Sequence, residues 1–565
     1  MTDLFGQDPV RWFGGCAPSG RRAPVPDRAT ALWTTPPLWT VGPWRRQRIR
    51  TAERANVRLA VIGTCSADET QLARAVYADD LAAASAPWSG SFTAVRATPD
   101  TVEVVTDAAG ACPVYTVRTP DGLVVWGSSS RALAGLNGAR VDQRWLAAYI
   151  GDRHSAPTDL SAWEGVAPVP PGHRLLLTAD DTRTEQWWRP VPLPREEALE
   201  RIRTSLVEGV RARSHGLRMS TDLAGVDSSA LAVLSAKFGP VTGVTAHPED
   251  APEEGDLGYA RALSVPGLCL RLFPMGEDHL PFSTCAGGLP PTDEPPPSAV
   301  SWAAFSGQLH AVGQDTDGCH LTGDGGDNLF LPPPTHLLTL ARQHRWVGLW
   351  RDACAWARLR RRSPWPYVRA ALAGDANALS RSAPDPPPWL CVPPPERVQA
   401  AGADDALVRL VRSVARAAAS DIQLADHVGV EQHNPYLDGA VLGAVVSLAP
   451  PDRFSAYRYK PALMDALGDL LPPVVRGRTT KGAFVRDYHR AVRVHLRSVL
   501  DMCDGPLADA GLVDPEKLRS AVRAAALGAR VPWAHLVTSL GANLWWESVS
   551  RTPVCAWGMS GEVRA

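Results

Sequence analysis

Two short stretches, each rich in glycine and aspartate and each following a brief apolar run, constrain this chain most. The first is Met219-Ser220-Thr221-Asp222-Leu223-Ala224-Gly225-Val226-Asp227-Ser228-Ser229. It reads as strand, tight loop, helix, and the Ala- and Leu-rich run over 230–238 stops at Gly239-Pro240, a strong helix terminator. A small-residue loop that opens a helix presents backbone N–H groups and hydroxyls to an anion. An aspartate beside it supplies the oxygen ligand that magnesium takes. A glycine turn with serine caps explains so short a motif equally well. The second stretch is His320-Leu321-Thr322-Gly323-Asp324-Gly325-Gly326-Asp327-Asn328-Leu329-Phe330. Two such loops at strand ends, a domain's length apart in sequence but close in a parallel sheet, suit a metal–nucleotide site.

The surrounding pattern predicts such a sheet. Residues 195–213 read as a charged amphipathic helix, 241–245 as a strand, 258–264 as a helix, 268–273 as a strand, 298–312 as a helix and 319–322 as a strand. Repeated βα units imply a parallel sheet covered on both faces, with ligands at the carboxyl ends of its strands. From 336 to 430 the chain reads as helical and basic, broken by prolines around Pro386 and Pro393. Arg358, Arg360, Arg361 and Arg362 read as a solvated helix end in preference to a docking patch for an acidic peptide. Residues up to about 190 read as mostly β, with short runs over 58–63, 91–95, 102–106 and 123–126. The tail over 551–565 has little pattern and reads as mobile.

The two loops resemble those of the asparagine synthetase family, whose ATP loop reads SGGxDS and whose second loop reads GxGxDE. Within it they are most similar to lasso peptide cyclases, which often carry a shortened "D-L-S-G-x-D-S" loop. Here Ala224 replaces that serine. The resemblance implies an α/β synthetase domain of the ATP-pyrophosphatase type over 195–550. Ahead of it, over 1–190, it implies an α+β domain of the four-layer, Ntn-type glutamine amidotransferase fold. Gly90-Ser91-Phe92, the Asp107–Tyr115 region, Ser128 to Leu133 and Pro170-Pro171-Gly172-His173 follow that domain's motif order. A chain beginning Met1-Thr2-Asp3 lacks the terminal cysteine of a working glutaminase, whose thiolate is the nucleophile, so this domain is expected to be a scaffold.

Residue by residue, the resemblance implies that Leu223, Ala224, Gly225, Asp227, Ser228, Ser229, Thr245, Thr322 and Gly323 bind ATP. Asp227 and Asp327 would bind magnesium. Asp324 stands where the family's Glu faces the acyl group and is the candidate for orienting or deprotonating the amine. Lys460 and Lys481 match the family's "K-x-x-L-R" and "R-x-K-x-x-F" lysines and would meet phosphate and the tetrahedral intermediate. Only four of the 58 basic residues are lysines, so a lysine kept against that arginine bias favours function. Asp293 and Glu294 resemble "D-E-P" near the substrate entrance. Glu431 to Asp438 resembles "E-x-R-x-P-F-L-D", in which Asp438 is expected to cap the next helix.

The implied activity is ATP-dependent macrolactam formation: an Asp or Glu side chain of a core peptide is adenylated, then captured by that peptide's own α-amine. Expected partners are the leader-processed peptide, a leader peptidase and a leader-recognition protein. The open alternatives are an asparagine or β-lactam synthetase-like ligase acting on a small substrate, and a non-catalytic scaffold subunit. Net charge is −1 over 565 residues, which gives no electrostatic argument for nucleic acid. Ten cysteines without C-x-x-C pairs fit a reducing cytoplasm. No apolar run is long enough to span a membrane.

Overall fold

The computed structural model describes residues 10–19, 22–154, 156–214, 216–249, 255–283, 288–313, 318–331, 333–380, 386–393, 398–478 and 485–559. Alternation with period two builds its first half. In the Val57–Gly63 strand, Leu59 and Val61 face one side and Ala60 and Ile62 the other. Leu59 and Val61 pack with Leu72, Leu81 and Trp88 beneath two short helices, Glu69–Ala75 and Leu81–Ser85. Ala60 and Ile62 join Trp12, Trp39, Val95, Val104 and Trp126 in a core between two sheets.

Both sheets are antiparallel and six-stranded. One has the order Val166–Val169, Val114–Arg118, Val124–Gly127, Trp12–Cys16, Pro37–Val41, Thr30–Thr34. The other has the order Thr182–Gln186, His173–Leu177, Val102–Val105, Phe92–Ala97, Val57–Gly63, Ile49–Arg54. The Ser130–Ala134 helix packs against the first. The four strands expected in this half are all present, within a residue or two of their expected bounds.

The second half begins with helix α1, Arg195–Ser214, then β1, Met219–Asp222, α2, Val226–Ser235, and β2, Val241–Pro248. Next come α3, Asp256–Ala262, β3, Leu268–Met275, α4, Trp302–Gly313, and β4, His320–Leu321. Helix α5, Gly326–Phe330, leads into a helical region that includes α6, Trp346–Arg360, α7, Trp365–Ala373, and α8, Ala403–His427. Strand β5, Gln432–His433, closes the sheet. All neighbours are parallel, in the order β3-β2-β1-β4-β5. The chain winds outward from β1 to β3, then crosses to β4 on the other side of β1. That reversal opens a crevice at the carboxyl ends of β1 and β4, where both Gly/Asp loops emerge. Strand β5 has no sequence signal because two residues are too few to show a period.

The halves are joined by buried charge. Arg11, Arg45 and Arg48 from the first half converge on Glu431, just ahead of β5, and Arg11 also pairs with Asp426 at the end of α8. Beside them lies a cavity of about 130 Å³ lined by Arg48, Thr64, Ser91, Cys112, His433 and Asn434, among others. Asp438 does stand ahead of the Gly439–Ser447 helix, but it makes no cap bond. Its carboxylate instead accepts from Arg213 at 2.6 and 2.8 Å and from the Ser91 hydroxyl at 2.5 Å, wholly buried. A guanidinium rising from α1 outcompetes the local N–H groups for it.

The tail also departs from expectation. After α9, Pro461–Leu467, and α10, Trp533–Arg551, strand β6, Trp557–Met559, pairs antiparallel with Pro24–Pro26. Trp557 packs 5.9 Å from Trp12 and 6.1 Å from Trp39, and that aromatic contact fixes the chain. Among the described residues no helix is long and apolar enough to cross a membrane.

Candidate active site

Strand β1 delivers Asp222 to the crevice, and four residues later α2 begins. The Ser228 hydroxyl accepts from the N–H groups of Ala224 and Gly225, each at 3.2 Å, closing the loop at the helix start. The Thr245 hydroxyl of β2 donates to the Leu223 carbonyl at 2.5 Å. Leu223, Thr245 and Ser229 are fully buried. Their side chains shape the loop and its helix. Ala224 and Gly225 remain at its surface edge, with the buried Ser228 hydroxyl just behind them, at the positive end of a helix whose first N–H groups seek an anion.

The second loop presses against the first. A β-carbon on Gly326 would sit 2.7 Å from Asp227 Oδ1, and one on Gly323 would sit 3.0 Å from the Ser228 nitrogen. Gly325 holds φ +87°, the left-handed region. Glycine is needed here for close approach and for the turn. The result is convergence of Asp227 and Asp327 on one cation, the ammonium of Lys460. Lys460 Nζ lies 2.6 Å from Asp327 Oδ1 and makes a closer contact with Asp227 Oδ2. Lys460 is 1% exposed. Burial would lower its pKa, but the two carboxylates outweigh burial and raise it. Its backbone is left-handed at φ +44°, a cost that persists only where surroundings demand it. The Tyr436 hydroxyl donates to the Asp227 carbonyl at 3.0 Å and steadies the pair from beneath.

This arrangement fits a divalent cation held by two carboxylates and completed by ligand phosphates, as magnesium usually is. Among the described residues no group of three or more His, Cys, Asp or Glu forms a metal site without such help.

Asp324 is solvent-exposed at the loop's outer edge. The Thr322 hydroxyl lies 3.0 Å from Asp324 Oδ2 and 3.0 Å from Asn434 Oδ1. Sequence reasoning missed its neighbour Asp421, on α8. That carboxylate is buried and accepts from the Ser298 N–H and hydroxyl, both at 3.1 Å. Burial first, and the charge of Asp324 second, push Asp421 up to about 7. A lone aspartate within a helix carries no sequence signal that separates it from surface charge. Asp222 was also missed as a site residue. It accepts from Gln308 Nε2 at 2.6 Å, with His320 Nε2 at 3.3 Å.

Asp293 and Glu294 do not face an entrance. Asp293 accepts from the Ser129 hydroxyl at 2.7 Å, the Arg131 N–H at 3.0 Å and Gln423 Nε2 at 2.7 Å. Glu294 is paired with Arg416 at 2.8 Å. Both are buried and tie the first half to α8, a correction to their expected substrate role. Lys481 lies outside the described residues. Nearby Arg478 pairs with Asp256 and lies 3.9 Å over the Tyr259 ring.

Comparison with known proteins identifies a family for the second half of the chain. No curated protein matches the chain. Among solved structures, the allosteric regulatory enzyme of purine biosynthesis aligns at 11% identity and TM-score 0.21, covering 46% of this chain and 59% of that one. The chain thus spans under two thirds of that protein. Glutamine phosphoribosylpyrophosphate amidotransferase from B. subtilis, complexed with ADP and GMP, aligns at 10% identity and TM-score 0.22, covering 56% and 76%. The sequence model of asparagine synthase matches residues 202–547, more than half the chain and the whole of the crevice. The chain therefore belongs to the asparagine synthase family, ATP-dependent enzymes that form amide carbon–nitrogen bonds.

Proposed function

We propose that this ligase closes a macrolactam within a peptide, with the peptide's N-terminal amine as nucleophile and an Asp or Glu side chain as acyl donor. The chemistry rests above all on one observation, the convergence of Asp227, Asp327 and Lys460 where two glycine loops meet at the sheet's switch point. The finer assignment to lasso peptides rests on the shortened first loop and on Gly323-Asp324-Gly325-Gly326-Asp327 in the second. The first half supplies a further argument. Burial pushes up the thiols of Cys16, Cys65 and Cys112, the second of them to about 11. None is a ready thiolate nucleophile, so these thiols release no ammonia from glutamine, and the acceptor proposed is an amine carried by the substrate.

The steps follow from charge. A peptide carboxylate oxygen attacks the α-phosphorus of ATP and pyrophosphate leaves. The N–H groups at the start of α2 and the Ser228 hydroxyl cradle the phosphates, and the Lys460 ammonium suits a phosphoryl oxygen. Asp227 and Asp327 would hold magnesium, which supplies charge neutralisation on the pyrophosphate when bound. The amine then attacks the acyl carbon and AMP leaves. Asp324 takes the amine's proton, a role worth roughly 10²- to 10⁴-fold in rate. Asp421, pushed up to about 7 by burial and by Asp324, is neutral below that pH and then adds no second negative charge beside Asp324. By resemblance, Lys481 would stabilise the tetrahedral oxyanion. Glutamine-amidotransferase ancestry is proposed for the first half, and a leader peptidase and a leader-recognition protein are proposed as pathway partners.

The test supplies ATP, magnesium and a synthetic core peptide, and follows peptide mass and fragmentation. Formation of AMP with a peptide lighter by one water and resistant to N-terminal sequencing supports the reading, as does its loss in Asp324→Asn. AMP formed only with free aspartate and an ammonia source would replace it with a small-substrate ligase.

A further inference from the structure

The helical region between α5 and α8 takes no part in the site described above. On sequence alone its cluster at 358–362 reads as a solvated helix end. The structure sets an aromatic surface beside that cluster. We propose that the outer face of α6 and α7 is a docking surface for an acidic, apolar-studded segment of a separate protein chain.

Folding does not need these side chains. Helix α6 turns Leu349, Ala353 and Trp356 inward at i, i+4, i+7 spacing. Leu349 and Ala353 join Val368 and Ala371 of α7 in a small core, and Trp356 stacks on Phe454 at 4.7 Å. The flank of α6 beside that buried stripe is also apolar, yet it is bare. Trp346, Trp350 and Trp365 are 50%, 45% and 57% exposed, and Val347 and Leu372 are more than half exposed. The Trp350 and Trp365 rings lie 5.1 Å apart, joining the two helices' outer faces into one patch. One helical turn on from that pair stand Trp346 on α6 and Arg369 on α7.

Charge identifies the occupant. Residues 344–375 hold seven arginines and two aspartates, in a chain whose net charge is −1. Asp352 is already engaged by Arg351 and His336. Among the described residues Arg345, Arg358, Arg361, Arg362 and Arg369 are in no ion pair, although arginines elsewhere are widely paired. Exposed tryptophan beside unpaired arginine is the composition of a protein-interface hot spot. Guanidinium groups recognise carboxylates in bidentate fashion.

The test uses the full chain and a fluorescent synthetic peptide alternating Glu or Asp with Leu and Phe, read by anisotropy. Binding should fall steeply with added salt, and the same peptide with lysine in place of its acids should not bind. The triple variant Arg358→Glu, Arg361→Glu, Arg362→Glu should abolish binding. The double variant Trp350→Ala, Trp365→Ala should weaken it by about tenfold or more. Circular dichroism and nucleotide binding unchanged in both variants would show that the fold is intact. Equal binding by wild type and both variants would overturn the proposal. So would binding of phosphatidylglycerol vesicles but not of the acidic peptide, or binding of neither.

Discussion

Lys460 holds its ammonium between two carboxylates that need the same space for a metal once triphosphate arrives. Removing that charge leaves the buried Asp227 facing Asp327, whose side chain is partly exposed. Lys460→Met is therefore expected to cost roughly 2–3 kcal/mol, below the full cost of breaking a buried pair because solvent screens Asp327. Magnesium alone should raise the melting temperature of the variant more than that of the wild type, because a bound cation replaces the lost one. Equal responses in differential scanning fluorimetry would contradict this. Asp421 gives a pH signature. Its folded-state pKa is about 7 against an ordinary 3.8, so its fold-favoured neutral form is complete below the unfolded value and is lost as pH rises through 7. That displacement corresponds to about 4 kcal/mol as an upper scale. The melting advantage of Asp421→Asn over wild type should grow between pH 4 and 7 and then level off. Lys460 was legible because lysine is rare in this chain. Asp421 was not, because its burial depends on Ser298, more than a hundred residues away in sequence.

At the scale of elements, the site is a contact between two loops, and glycine sets how close they come. Gly326→Ala would place a methyl group on the Asp227 carboxylate. Forcing the loops apart should cost roughly 1–3 kcal/mol and reduce ATP binding by calorimetry far more than Gly429→Ala, at a left-handed turn with open space around it, reduces it. Unchanged ATP affinity in Gly326→Ala would contradict the loop–loop account. These loops were readable because glycine, aspartate and serine at a strand end are local requirements of backbone geometry. The βα order was readable from periodicity for the same reason. Elements defined by distant partners were not. Strand β5 exists by pairing with β4, β6 by packing Trp557 on Trp12 and Trp39, and Asp438 is committed to Arg213 rather than to the helix beside it. Asp293 and Glu294 misled because a polar turn reads alike whether it faces solvent or a second domain.

At the scale of the molecule, Glu431 connects the N-terminal sheets to the edge of the catalytic sheet. Burial opposes its ionisation. The hydrogen bond from His433 and the guanidinium groups of Arg48 and Arg11 outweigh burial and hold it far below the usual carboxylate range. His433, pushed down to about 3 chiefly by burial, is neutral here. A depressed carboxylate stabilises above its unfolded pKa and loses that contribution as pH falls below it. Wild type should therefore melt well above Glu431→Gln at neutral pH, with the gap narrowing as pH falls below the ordinary 4.5. A gap independent of pH would contradict an electrostatic tie between the halves. The account as a whole stands on acyl transfer through an adenylate formed in the crevice. The most direct measurement gives the enzyme a core peptide whose side-chain carboxylate carries heavy oxygen and examines the nucleotide product by mass spectrometry. The account predicts AMP bearing one heavy oxygen from the peptide, with none in Asp227→Ala. Heavy oxygen in inorganic phosphate alongside ADP, or unlabelled AMP, would contradict it.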